Sequence, residues 1–469
     1  MRPGIDLAGK RVLVVGLART GLVTAIFSAG YGAMVTATDE KPQSELVEAP
    51  AKLRAAGVTL ELGGHRPEIF LEQDLIVVSP GVPARLPQLE EARAKGIPVW
   101  SEIELAWRLL RGKLIAITGS NGKTTTTSLV AHVLRTANIS TLLGGNIGVP
   151  LLSLVESSMD TTVTVAEISS FQLETIEAFR PEIGVLLNLT PDHLDRHASF
   201  DDYARAKMRM FENQVERDAA VLNADDPEIT KRMPSRGHIY WFSRQKRVAE
   251  GAFLRDEQII FRIDGTEIAL ARREDIQLRG EHNVENVLAG CAAAYLAGAD
   301  PASIANGVKT FKGVEHRLEF VAKLDGVNFY NDSKATNVDA TIKAVEAFPG
   351  PLIVILGGKD KGSPYTPLRE PLRERARLAV LIGAAAEKIA ADLGDAVAVE
   401  RAGTMDKAVQ IASKYAQPGD TVLLAPACSS FDQFENYEQR GRVFKELVLK
   451  LENKSAASPA TRKGIDDAA

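Results

Sequence analysis

A chain of 469 residues is longer than one hydrophobic core usually holds, so about three domains are expected. Its 56 Lys+Arg against 61 Asp+Glu leave a net charge of −5, which gives no electrostatic case for nucleic acid or an anionic membrane surface as partner. Two cysteines, Cys291 and Cys428, are too few for a disulfide framework or a zinc cluster and read as buried small hydrophobes in a reducing compartment.

The first apolar run, Val12 to Val15 in RVLVVG, is too short for a signal-peptide core and reads as a β-strand. MVTATD, DLIVVS and IPVW continue the set, with TGLVTAIFSAG and QLEEARAKG as the helices between. Within VVGLARTG, Gly16 and Gly21 stand between strand and helix and Asp39 ends the next strand, the geometry of a nucleotide-binding βαβ turn. Ala18 replaces the middle glycine through which a pyrophosphate approaches the backbone. A hydride-carrying dinucleotide is therefore not the expected ligand, and a tight turn without a ligand is the alternative.

A second strand set opens with LIAITG and continues through TVAEIS, GVLLNL, AAVLNAD and HIYWF. The loop ITGSNGKTTTT, Ile117 to Thr127, departs from the G-x-x-x-x-G-K-[ST] spacing of a P-loop, because Gly119 is the only glycine ahead of Gly122. It still places a strand, a glycine turn, Lys123 and a helix start in order, so backbone N–H groups, helix dipole and ammonium converge on one phosphate position. Thr124 is placed to offer a hydroxyl to Mg2+, with Thr125 a second candidate. Downstream, Glu167 ends a strand, Asn146 sits in GGNIG, and NLTPDHLDRH carries Asp192, His193, Asp195 and His197. The carboxyl ends of parallel strands face the ligand crevice, where such oxygen and imidazole donors suit Mg2+.

The next helix, SFDDYARAKMRMF, opens with Ser199 and Asp202 at capping-box spacing. Its apolar stripe of Phe200, Tyr203, Ala204, Met208 and Phe211 contains Lys207. Two readings stand: a lysine that snorkels to the surface, or a neutral, chemically modified amine facing the crevice. Residues 251–278 alternate about an Asp264-Gly265 turn, a small antiparallel part beside the parallel sheet. The helix that follows contains the longest apolar stretch, Val287 to Ala299, too short to span a bilayer.

A third set, LEFVAKLDGVNFYND, PLIVILGG, LAVLIG, VAVERAG and TVLLAPAC, is closed by a helix from about Gln433. Its strand-end loops, NDSKATN, LGGKDKG and APACSSFDQFENYEQRG, hold Lys334, Lys359, Lys361, Ser429 and Ser430, which together suit an anionic substrate. The fold class is α/β in three domains. These are a Rossmann-like sheet over residues 1–110, a P-loop-type mononucleotide-binding domain with a small antiparallel part over 111–313, and a Rossmann-like domain over 314–453. The tail, 454–469, is expected to be disordered.

TGSNGKTTT, AEISSFQLE, NLTPDHLDRH with YARAK, GEHNVEN, the pair His316-Arg317 and NDSKATN, in that order, resemble the Mur ligases over essentially the whole chain. Within that family SKATN and SFDQF with its Arg440-Gly441 are similar to the member that adds D-glutamate. The resemblance implies an ATP-dependent amide ligation. The alanyl carboxylate of UDP-N-acetylmuramoyl-L-alanine attacks the γ-phosphate, and the amine of D-glutamate then displaces phosphate from the acyl phosphate.

It implies catalytic roles for Lys123, Glu167, His193 and Lys207, with two Mg2+ ions held through Thr124, Glu167, His193 and a carbamate formed from CO2 on Lys207. ATP would be held by Gly119, Ser120, Asn121, Gly122, Lys123, Thr124, Thr125, Asn283, Asn286, Arg317 and Asp332, with His316 at the hinge. Arg19, Thr20, Asp39, Ser79, Gly81, Asn146 and His193 would hold the UDP-substrate, and Lys334, Thr336, Lys361, Ser430, Phe431 and Tyr437 the D-glutamate. Tyr437 stands where some relatives carry phenylalanine, and GGKDKG differs from the family's GGDGK, so Lys359 is the alternative to Lys361. The expected setting is cytoplasmic peptidoglycan precursor synthesis by a monomer, with neither nucleic acid nor membrane insertion.

Overall fold

Continuous runs of aliphatic residues build three sheets in the computed structural model, which describes residues 2–46, 49–193, 196–232, 235–360, 362 and 364–456. The first sheet holds β1 (Arg11–Val15), β2 (Met34–Asp39), β3 (Thr59–Leu62), β4 (Leu75–Val78) and β5 (Val99–Ser101). All are parallel, in the order β3-β2-β1-β4-β5. Val12 to Val15 and Leu75 to Val78 are buried throughout, as central parallel strands covered on both faces must be. The order reverses between β1 and β4, which places the crevice at the ends of those strands, beside Gly16 and Ser79.

The second sheet has nine strands: β6 (Lys113–Thr118), β7 (Thr141–Gly145), β8 (Val163–Glu167), β9 (Ile183–Leu186), β10 (Ala219–Asn223), β11 (His238–Ser243), β12 (Gly251–Arg255), β13 (Gln258–Ile263) and β14 (Thr266–Arg272). Their order is β14-β13-β12-β11-β10-β9-β6-β8-β7, so the crevice opens at the end of β6, ahead of the glycine loop. The antiparallel part expected beside this sheet is its continuation: β12 pairs parallel with β11, and β13 and β14 add to it antiparallel. Asp264 and Gly265 turn the last hairpin with φ of 48° and 74°, the left-handed pair a two-residue hairpin loop requires.

The third sheet is β15 (Glu319–Leu324), β16 (Val327–Asn331), β17 (Leu352–Gly357), β18 (Ala376–Ile382), β19 (Ala398–Gly403) and β20 (Thr421–Leu424), in the order β15-β16-β20-β17-β18-β19. β15 and β16 form an antiparallel hairpin on Asp325-Gly326, and the other pairings are parallel. The final helix runs Tyr437–Ala456 and starts later than Gln433. Phe434 closes a turn onto the Ser430 carbonyl first, and the Asn436 side chain accepts the Gln439 N–H at 2.7 Å, which caps the helix there. Of the tail expected to be disordered, residues from 457 onward lie outside those described.

The chain divides into two compact units. Met1–Gln277 with His282–Phe311 carries the first two sheets, and Leu278–Glu281 with Lys312–Ala469 carries the third. Inside the first unit one apolar core runs from Val14 and Leu75 through Trp107 and Leu151 to Leu222. Both cysteines are free and buried. Among the described residues no helix is long and apolar enough to cross a membrane.

Candidate active site

The glycine loop is shaped by backbone conformations that only glycine adopts without strain: φ is 154° at Gly119 and 81° at Gly122, which caps the helix Lys123–Thr136. A Cβ on Gly122 would lie 2.2 Å from Asn286 Oδ1. The loop is braced from the end of β9. Ser120 N–H donates to the Asn188 carbonyl (3.0 Å), Asn121 N–H donates to Asn188 Oδ1 (2.8 Å), and Ser120 Oγ donates to the Thr190 carbonyl (2.9 Å). Tyr203 adds its hydroxyl to Ser120 Oγ at 3.0 Å. Lys123 Nζ curls over the loop onto the carbonyls of Gly119 and Ser120, both at 2.8 Å, so its ammonium lies beside the helix N-terminus where an anion is favoured.

Next to this loop a buried carboxylate gathers oxygen and amide groups. Thr124 Oγ1 donates to Glu167 Oε2 (2.7 Å) and Asn146 Nδ2 to Glu167 Oε1 (2.8 Å). Thr125 is buried in the helix's inner face, so Thr124 is the hydroxyl at the carboxylate. Lys207 is 2 % exposed and does not snorkel: Nζ donates to the Gly119 carbonyl (2.9 Å) and reaches Thr118 Oγ1 at 3.4 Å, 4.7 Å from the centre of the Tyr203 ring. Burial, then the charge of Lys123, holds its amine well below the usual lysine range.

His193 takes φ of 52° and is exposed, its ring 4.9 Å from that of Phe171 and Nε2 3.6 Å from Asp192 Oδ2. Asp195 lies outside the described residues. His197 is buried instead, stacked on Phe171 at 5.4 Å with Nε2 3.0 Å from Ser170 Oγ, and burial lowers its pKa. Between them Arg196, which sequence reasoning passed over, lies 4.5 Å above Phe171 and donates to the carbonyls of Gly81 (3.1 Å) and Val82 (2.8 Å). It ties the His193 loop to the loop after β4. The Phe in SSFQLE was the one available signal for this shelf.

In the first domain, Asp39 accepts the N–H groups of Leu17 (2.6 Å) and Lys41 (2.9 Å), and Ser79 Oγ donates to the Gly16 carbonyl (2.7 Å). These two side chains shape the turn. Arg19, at the start of the helix Arg19–Gly30, and Gly81 are exposed, with Thr20 half-buried beside them. Asn283 and Asn286, on the helix Glu281–Ala297, are buried, and Asn286 Nδ2 donates to Asn283 Oδ1 at 2.9 Å.

In the second unit three strand-end loops converge. Asp332, after β16, is buried, and that burial pushes its carboxyl up to about 6 against the opposing charge of Arg317. Lys334 N–H donates to the carbonyl of His316 (3.1 Å), Thr336 N–H donates to that of Lys334 (2.8 Å), and Lys334 Nζ lies 5.8 Å from the centre of the Tyr437 ring. After β17, Lys359 pairs with Ser429 in an isolated bridge. Asp360 accepts from Lys388 Nζ and Tyr365 OH, each at 2.8 Å. Lys361 lies outside the described residues. After β20, Ser430 is buried and Phe431 is 66 % exposed. Ser333 and Arg440, which lace these loops together, enter the sequence reading only as parts of SKATN and of the Arg440-Gly441 pair, with no role of their own.

Family profiles match in the same order: a Mur ligase MurD-like N-terminal domain over residues 10–101, a Mur ligase middle domain over 117–294, and a Mur ligase glutamate ligase domain over 316–428. A UDP-N-acetylmuramoylalanine--D-glutamate ligase of Koribacter versatilis is 54% identical over 450 residues, covering 95% of this chain and 99% of the relative. One of Acidobacterium capsulatum is 53% identical over 95% of this chain and 97% of its own. Among solved structures, UDP-N-acetylmuramate-alanine ligase MurC of Thermotoga maritima shares the fold, with a TM-score of 0.58 at 19% identity over 95% of this chain and 100% of its own. MurF ligase of the same organism, in complex with ADP, gives 0.57 at 17% identity over 95% and 100%. With three α/β domains in this order, a braced glycine loop beside a buried carboxylate, and relatives aligned along nearly its full length, the chain belongs to the Mur ligase family.

Proposed function

We propose that this protein uses ATP to join D-glutamate to the alanyl carboxylate of UDP-N-acetylmuramoyl-L-alanine, releasing ADP and phosphate, in cytoplasmic peptidoglycan precursor synthesis. The observation that carries this reading is the meeting of Lys123 and a helix N-terminus with Thr124, Glu167 and the buried Lys207, in a chain whose similar relatives bear that activity in their names.

Phosphoryl transfer between two anions demands positioning and charge neutralisation more than covalent help. Lys123 and the N–H groups of the first turn of the helix that Gly122 caps supply fixed positive potential for the ATP phosphates, with Asn283 and Asn286 behind the loop for the base. The oxygen donors at Glu167 fit a hard divalent cation. Thr124, Glu167, His193 and a carbamate on Lys207 would hold two Mg2+ ions, which when bound neutralise charge on the transferred phosphoryl group.

Lys207 fits that modification on its own chemistry. Burial lowers the pKa of its amine well below the usual lysine range, which favours the unprotonated form whose nitrogen lone pair attacks CO2 with loss of a proton. The resulting anion would have Lys123 as neighbour. Arg19, Thr20, Asp39, Ser79, Gly81, Asn146 and His193 serve the UDP-substrate, and Arg317 with Asp332 the nucleotide. Lys334, Thr336, Ser430 and the lysines of GGKDKG take the two carboxylates of D-glutamate, with Phe431 and Tyr437 as the aromatic members of the same site.

Phosphate release from ATP with UDP-N-acetylmuramoyl-L-alanine, compared across D-glutamate, L-glutamate, L-alanine and meso-diaminopimelate, tests the reading. D-Glutamate alone is expected to drive turnover. Release that is indifferent to the amino acid refutes it.

A further inference from the structure

Arg440 sits in the first turn of the helix Tyr437–Ala456 and is completely buried. Its guanidinium is forked between two loops. Nε donates to Ser333 Oγ (2.9 Å) and Nη2 to the Ser333 carbonyl (2.8 Å), while Nη1 donates to the Cys428 carbonyl (3.1 Å). Ser333 is locked in turn. Its hydroxyl donates to the Tyr437 carbonyl at 2.8 Å and its N–H to Asn331 Oδ1 at 3.1 Å. The third loop presses against the same fork, since a Cβ on Gly358 (φ 138°) would stand 3.2 Å from Nη1 and 2.3 Å from the Ser429 carbonyl.

One side chain therefore sets the spacing of the loops that follow β16, β17 and β20. They carry Lys334 and Thr336, Lys359, and Ser429 and Ser430 respectively. All three hydrogen-bond acceptors of the fork are neutral groups, and the carboxylate of Asp432, in the loop after β20, is the opposing charge that the guanidinium feels. Burial lowers the guanidinium to about 10, still protonated at neutral pH. A planar five-donor fork makes this connection, and an ammonium does not reproduce it.

We propose that Arg440 is a positioning residue of the amino-acid site: it fixes the Ser333 and Cys428 loops against each other through its three hydrogen bonds. Affinity for an amino acid with two carboxylates depends on it. The inference rests on the assignment of D-glutamate to these loops.

The test uses full-length Arg440→Lys and Ser333→Ala with D-glutamate, UDP-N-acetylmuramoyl-L-alanine and ATP. Arg440→Lys keeps the charge and loses the fork; Ser333→Ala removes one acceptor and leaves both carbonyls. The KM for D-glutamate is expected to rise about tenfold in the first and about threefold in the second, the scale of a lost charge-assisted bond and of part of one. The KM for the UDP-substrate, and the rate at which hydroxylamine traps the acyl phosphate without D-glutamate, stay at wild-type values. If Arg440→Lys does not fold, Ser333→Ala decides by the same criterion. An unchanged KM for D-glutamate, or an equal loss in trapping, overturns the inference while wild-type turnover of D-glutamate upholds the assignment. A wild-type enzyme indifferent to D-glutamate brings both down.

Discussion

Replacing Lys207 by methionine should remove activity and yet make the folded protein more stable at neutral pH. The buried amine donates to the Gly119 carbonyl at 2.9 Å and, more weakly, to Thr118 Oγ1 at 3.4 Å. Neither acceptor is orphaned by its loss: the Gly119 carbonyl keeps Lys123 Nζ at 2.8 Å, and the Thr118 hydroxyl still donates to the Ile168 carbonyl at 2.8 Å. The lost hydrogen bond is then worth about 1 kcal/mol. Against it, exchanging buried ionic groups for apolar side chains of similar volume stabilises proteins by roughly 1–4 kcal/mol. The net expectation is a gain of about 0–3 kcal/mol at pH 7.

The pH dependence gives the sign. Lys207 is lowered from 10.5 in the fold, so between its folded value and 10.5 the unfolded chain binds a proton that the folded chain does not. Wild-type stability therefore climbs as pH rises through that window and is lost as pH falls, and the variant lacks this slope. Urea unfolding followed by tryptophan fluorescence reports on the right unit, because Trp100, Trp107 and Trp241 all lie in the first. Run in CO2-free buffer at pH 7 and 9.5, it should show an advantage for Lys207→Met that shrinks at the higher pH. A variant less stable than wild type at pH 7, or an advantage that grows with pH, refutes the reasoning.

Gly122→Ala places a Cβ at φ 81° and 2.2 Å from Asn286 Oδ1, so the KM for ATP should rise about tenfold, through about 1–2 kcal/mol of left-handed strain. An unchanged value in initial-rate assays would count against the assignment of Asn286. Gly21→Ala would set a methyl 1.8 Å from the Gly16 carbonyl and 2.7 Å from Ser79 Oγ, and is expected to raise the KM for the UDP-substrate while acyl-phosphate formation at saturating substrate persists. Asp332 is raised from 3.8 to about 6, so the fold holds a proton that the unfolded chain releases, and wild-type stability falls as pH rises through that window. Asp332→Asn should abolish that slope, worth at most about 3 kcal/mol, in urea titrations at pH 4 and 7.

The strands legible in the sequence are those whose burial makes the residue string continuous. Val12 to Val15, Leu75 to Val78 and Leu352 to Leu356 are apolar at every position because parallel strands covered by helices bury both faces. The two strands that were not read, β3 and β7, lie at sheet edges, are largely half-buried, and spell TLEL and TLLGG, which carry no such run. The hairpin at Asp264-Gly265 obeys local turn chemistry and is legible in the sequence, whereas the same chemistry at Asp325-Gly326 lies inside LEFVAKLDGVNFYND, which reads as one run. Whether the antiparallel strands form a separate part or extend the nine-stranded sheet depends on the pairing of β11 with β12, a contact that no local pattern encodes.

For the site, residues at strand ends could be read and their partners could not. Lys207 is the clearest case: its stripe was visible, and it took the burial of the side chain to exclude a surface lysine. The shortened loop ITGSNGKTTTT shows what the rest required. With Gly119 the only glycine before Gly122, there is less chain to wrap a phosphate, and the support comes from the loop after β9 instead. Asn188 takes both the N–H of Ser120, on its carbonyl, and that of Asn121, on its side chain, and it returns an N–H to the Asn121 carbonyl at 3.2 Å. Thr190 and Ser120 exchange hydrogen bonds, each 2.9 Å. The NLT of NLTPDHLDRH is thus the second half of the nucleotide loop, and the chain that bears His193 begins from that brace. A short loop held from a neighbouring strand end is rigid only while that strand end is in place, so the phosphate position and the His193 loop are coupled by construction. Asn188→Ala should for that reason raise the KM for ATP and for the UDP-substrate together, and a change in ATP alone would separate them.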